Sequence, residues 1–120
     1  MNIVDNMGKV ETELERLGLV KHIGDFSVWW TYKYDNATYT CHWWVKRTFL
    51  SDFYSVATNL VIANIGGESY VVSSTAETNR YSCDDYDNMI EHVMELLKQY
   101  NELIERLKIM QIDKMFKEVI

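Results

Sequence analysis

Between Tyr86 and Met110 the chain keeps one spacing without a miss. Tyr86, Met89, Val93, Leu96, Tyr100, Leu103, Leu107 and Met110 alternate steps of three and four residues. Only an α-helix gathers such positions onto one side. The seam would run roughly 37 Å at 1.5 Å per residue, against roughly 20 Å for an ordinary strand. Ile90, Leu97 and Ile104 widen it into a stripe suited to packing on a sheet. Ser82 with Asp85 resembles a capping pair, and Asp84, Asp85 and Asp87 complement the positive end of the helix dipole. After Met110 the phase shifts to Ile112, Met115, Phe116 and Val119, so a kink or a short second helix is expected there.

The surface for that helix to lie on comes earlier in the chain. Ile3, Met7, Val10, Leu14 and Leu17 mark one face of an N-terminal helix that Gly18 is placed to end. A short Val20–Ile23 stretch and a Gly24-Asp25 turn lead into residues 26–47, rich in Tyr, Trp, Thr and Val, which read as a β-hairpin about Asp35-Asn36. A two-residue loop there pairs Tyr34 with Ala37, Tyr32 with Tyr39, Trp30 with Cys41 and Val28 with Trp43, all on one core-facing side. The opposite face then carries Trp29, Thr31, Lys33, Thr38, Thr40, His42, Trp44 and Lys46. A second hairpin, 59–65 and 68–74, turns on Gly66-Gly67. Residues 52–63 also fit helical spacing through Phe53, Val56, Ala57, Leu60 and Val61, with strand preferred; 75–82 is a polar loop or a short edge strand. The expected architecture is α+β, one domain over residues 1–120: an N-terminal helix, an antiparallel sheet of four or five strands from two hairpins, a long amphipathic helix and a short final helix.

Composition narrows the function classes. The 120 residues carry a net charge of −6, which disfavours general affinity for nucleic-acid phosphates and makes a basic partner the natural one. The N-terminus shows no basic region followed by an apolar run, and no stretch approaches the roughly 18 apolar residues of a membrane span, so a cytoplasmic protein without membrane contact is expected. Without a secretion signal, Asn36-Ala37-Thr38 is not counted as a glycosylation site. Two cysteines, Cys41 and Cys83, define neither a disulfide framework nor a metal knuckle.

Weighed one by one, the motifs that carry chemistry fall away. Cys41-His42 is no nucleophile–base pair, because neighbours on a strand point to opposite faces. Asp84-Asp85-Tyr86-Asp87 matches no calcium loop, and His22, His42 and His92 lack the i, i+4 spacing of a zinc pair, so neither metal nor cofactor is expected. Gly66-Gly67 lacks the rest of a phosphate-cradling loop. No catalytic residue can be assigned, and a non-enzymatic protein is expected.

Two surfaces remain. Along the long helix Asp87, Glu91, Glu95, Glu102 and Glu105 lie opposite the apolar seam, and between Asp84 and Glu105 seven acids face only Lys98. Such an anionic rod suits a basic groove on a partner protein. On the first hairpin, Trp29, Lys33, His42, Trp44 and Lys46 form an aromatic, basic face able to stack single-stranded nucleic acid or a small aromatic ligand, the less favoured alternative. The overhang of the long seam, Tyr100, Leu103, Leu107 and Met110, is expected to pair with a second copy in a homodimer. In general character the chain resembles the stoichiometric inhibitors and accessory regulators of phages and mobile elements, which implies protein binding by stoichiometric contact.

Overall fold

The computed structural model describes residues 3–32, 43–49, 51–67 and 69–119. In chain order the elements are α1 (Ile3–Arg16), β1 (Leu19–Ile23), β2 (Ser27–Tyr32), β3 (Val45–Thr48), β4 (Phe53–Ala57), β5 (Leu60–Gly66), β6 (Ser69–Ser74), β7 (Thr78–Ser82) and α2 (Tyr86–Val119). The fold is α+β. Five strands form an antiparallel sheet in the order β1-β2-β3-β4-β7, and β5-β6 is a separate two-stranded sheet.

Helix α1 ends where its sequence allows it to. Gly18 takes a φ of +96° and its N–H bonds the Glu15 carbonyl at 3.0 Å, a left-handed terminus that a side chain would strain. A Cβ there would also stand 3.2 Å from the Tyr32 ring. Val10 and Leu14 of α1 meet Met89, Ile90, Val93 and Leu96 of α2 over Val28, Trp30, Val45, Tyr54 and Val56 of the sheet, so both helices share one face of it. Asp85 stands at the start of α2: its carbonyl accepts the Met89 N–H at 3.1 Å, and its carboxylate accepts from the Asn88 side chain at 2.7 Å.

Three expectations are corrected. The first hairpin pairs Trp30 with Val45 and Val28 with Arg47, a shift of four residues from the two-residue-loop register; the expected turn at 35–36 lies outside the described residues. The cause of the difference in burial is a bend at Trp44. Its N–H bonds the Trp30 carbonyl at 2.8 Å and its carbonyl accepts the Ala57 N–H at 2.9 Å, which breaks the period of two and sends both Trp44 and Val45 inward. Trp44 is core, at 5% exposure, packed on Tyr32 and Tyr100; Trp43 is half-buried.

The second correction is to the sheet, which takes no strand from the second hairpin. The chain leaves it after Ala57 and returns at Thr78, held by bonds from Thr58 N–H to the Glu77 carbonyl and from Thr75 N–H to the Asn59 carbonyl, 2.9 and 3.0 Å. The polar segment 78–82 therefore supplies the edge strand, and the strands among the described residues number seven. Third, α2 continues without interruption to Val119, and among the described residues no separate final helix follows Met110. It contains neither Gly nor Pro, the residues that most strongly disfavour a helix interior.

Candidate functional site

The acidic residues of α2 stand where the periodicity put them. Asp87, Glu91, Glu95, Glu102 and Glu105 are all exposed, while Met89, Val93 and Leu96 on the other side are buried. Glu105 pairs with Lys108 at 3.2 Å; among the described residues no cation pairs with Asp87, Glu91, Glu95 or Glu102. Met94 and Ile109, 54% and 59% exposed, place apolar surface beside the acids. At the N-terminal end of the stripe, Asp85, Asn88, Glu91, His92, Glu95 and Tyr81 border an open hollow of about 530 Å³.

His92 and Gln99 give this stripe a rigid base. His92 Nε2 lies 3.1 Å from the Thr58 carbonyl, which can only accept, so Nε2 carries a proton, and Nδ1 is hydrogen-bonded with the Tyr81 hydroxyl at 2.9 Å. Gln99 accepts the Leu60 N–H at 2.8 Å and donates to the Asn59 side chain at 3.1 Å. Two points about two turns apart on α2 are thereby tied to Thr58, Asn59 and Leu60 at the junction of β4 and β5.

The sheet's second face carries the aromatic constellation, with altered membership. Trp29 and Lys46 lie on it as paired neighbours. Trp44 does not, being core; Lys33 and His42 lie outside the described residues. Trp43 is there instead, with Lys46 Nζ 5.7 Å from its ring centroid, together with Phe53 and Arg80, whose guanidinium sits 4.4 Å from the Phe53 ring. The His22 ring lies near-parallel to Trp29, at 5.6 Å between centroids and 11°, and is oriented by a 2.8 Å hydrogen bond to Thr31 Oγ1. Phe53, His22 and Arg80 were legible only through pairings of β1, β4 and β7 that no local spacing specifies.

Of the expected self-association seam, Tyr100 and Leu103 pack against the chain's own core, Leu107 is half-buried and Met110 is exposed.

A polar cluster escaped the sequence reading. Glu11, at the edge of the α1 stripe, accepts bonds from Arg47 Nη2 at 3.1 and 3.3 Å and from the Tyr54 hydroxyl at 3.1 Å, and pairs with Lys21 at 2.9 Å. Burial pushes the Glu11 carboxyl up, but hydrogen bonds and charge from Lys21 and Arg47 outweigh it and hold the group below its ordinary value. Burial, and then the Glu11 charge, raise the Tyr54 hydroxyl well above the usual phenol range. The cluster ties α1 to β1, β3 and β4. Cys83 is buried, and burial with the nearby Asp84 and Asp52 charges raises its thiol, which disfavours the reactive thiolate.

Among the described residues no three His, Cys, Asp or Glu side chains gather as metal ligands, and no helix is long and apolar enough to cross a membrane. Comparison with known proteins finds no matching family model, no matching curated protein and no matching solved structure.

Proposed function

We propose that the chain is a small non-enzymatic interaction module, an inhibitor or accessory regulator of phage or mobile-element type, that presents the acidic stripe of α2 to a basic surface of a partner protein, for example one that binds nucleic acid. The observation that carries this reading is the row Asp87, Glu91 and Glu95, exposed and unpaired by any cation among the described residues. Like charges four residues apart on a helix cost about 0.2–0.5 kcal/mol per pair. A basic partner turns that repulsion into attraction, and the hollow bordered by Asp85, Glu91 and Glu95 has room for a Lys or Arg side chain. Met94 and Ile109 add apolar contact beside the charges. A second copy docking on the exposed Ile109–Met110 end would make the module bivalent.

The test is affinity capture from the native host with two baits, the wild-type chain and a variant carrying Glu91→Lys, Glu95→Lys, Glu102→Lys and Glu105→Lys. Proteins with basic surfaces held by the first bait and lost by the second support the reading. An identical set on both baits, with the variant folded by circular dichroism, refutes it.

A further inference from the structure

The helices cover one face of the five-stranded sheet. Across the other, register places His22 beside Trp29, Trp29 beside Lys46, Lys46 beside Ser55 and Ser55 beside Arg80, a row that touches all five strands. At the usual strand separation the row runs roughly 19 Å. Trp43 and Phe53 flank it, each with a cation over or near its ring, and with Lys46, Ser55, Thr78 and Arg80 they border a hollow of about 480 Å³. We propose that this face binds single-stranded nucleic acid, with bases stacked on Trp29, Trp43 and Phe53 and phosphates met by Lys46 and Arg80.

Ring and cation occur together here, which is the pairing a base and its phosphate call for, and stacking is tolerant of sequence because every base has a π-face. A face of an antiparallel sheet that no described helix packs against presents such rings side by side. The Trp29 ring is also set in place in advance. His22 lies alongside it, and the Gly24 backbone approaches so closely that a Cβ there would stand 2.7 Å from the ring. A ring already fixed loses little freedom on binding.

The net charge of −6 does not forbid this. Of the described strand residues on this face, from Val20, His22, Trp29 and Thr31 through Lys46, Phe53 and Ser55 to Thr78 and Arg80, none is acidic. The acids of α2 are carried on the helix that packs against the sheet's other face. A duplex buries the base faces this surface would use, and an acidic protein segment would engage the cations but leave the rings unstacked.

Fluorescence anisotropy of the full chain with a labelled thymidine homopolymer of about 12 nucleotides tests the proposal. Micromolar binding is expected, about tenfold weaker for a duplex of the same length, with log affinity falling against log salt at a slope of roughly −1.4 for two phosphate contacts. Lys46→Glu with Arg80→Glu should cost at least about tenfold at an unchanged melting midpoint, and Trp43→Ala should also weaken binding, whereas Glu91→Lys with Glu95→Lys on the far side should not. Because Lys46 and Arg80 are surface positions, the milder Lys46→Gln and Arg80→Gln pair serves if the reversals unfold the chain. No binding at roughly 100 µM, equal affinity for duplex, indifference to the Lys46 and Arg80 changes, or displacement of the strand by a glutamate-rich peptide at lower concentration overturns it.

Discussion

Cutting Glu11 to Ala should destabilise the protein by about 3 kcal/mol. Glu11 is 13% exposed and Arg47 10%, so removing the carboxylate strands a guanidinium with little access to water and deprives the Tyr54 hydroxyl of its acceptor. Breaking a buried pair from one side costs about 3–5 kcal/mol, while the more exposed Lys21 arm adds less than about 1 kcal/mol; residual water at the site sets the total near the low end. In a chain of this size that is a fall of about 12 °C in melting midpoint. Acid provides a second readout. A carboxyl whose folded pKa is depressed contributes stability that is present above its unfolded value, about 4.3, and is lost as pH falls through the lower folded value. Urea unfolding from about pH 6 down to about pH 3 should show the wild type losing this increment and Glu11→Ala showing a shallower loss. Replacing Glu11 and Arg47 together by Leu removes both charges and should cost less than Glu11→Ala alone. A cost below about 1 kcal/mol, or an unchanged acid limb in the variant, would refute the assignment of this cluster as the tie between α1 and the sheet.

Trp44→Ala should cost about 3–5 kcal/mol and Trp43→Ala well under half of that, since the first empties a core site against Tyr32 and Tyr100 and the second trims a half-buried surface ring; denaturant midpoints of the pair measure the ordering. Gly24→Ala should perturb tryptophan fluorescence, because its Cβ would meet the Trp29 ring at 2.7 Å. Ile109→Glu should shift any dimer seen by sedimentation at tens of micromolar toward monomer, about tenfold in dissociation constant, if the exposed end of α2 joins two copies.

What could be read from the residues alone was whatever local period specifies. The three-and-four spacing placed Met89, Val93 and Leu96 inward and Glu91 and Glu95 outward, because a helix's faces follow from its own geometry. Strand pairing is different. The shift from Cys41 to Val45 opposite Trp30 depends on the length of the connection between β2 and β3, and the exchange of Trp43 for Trp44 depends on one bend held by Trp30 and Ala57, neither of which leaves a mark in the alternation. The choice of β7 over β5 as the neighbour of β4 is likewise non-local: a polar edge strand such as Thr78–Ser82 competes poorly on propensity and wins on topology. Glu11 sat beside an apolar stripe, a visible anomaly, but its partners Arg47 and Tyr54 come from strands that only the fold brings together.

The central claim, that function runs through charge on α2, is tested most directly by the association rate of a captured partner as salt is raised. Attraction between an acidic stripe and a basic surface acts over the screening length, which shrinks from about 10 Å at 0.1 M to about 3 Å at 1 M. Stopped-flow measurement should show the wild-type rate falling at least about tenfold over that range, and the Glu91, Glu95, Glu102 and Glu105 charge-reversal variant starting slow and staying slow. A wild-type rate that does not move with salt, matched by the charge-reversed chain, would contradict the claim.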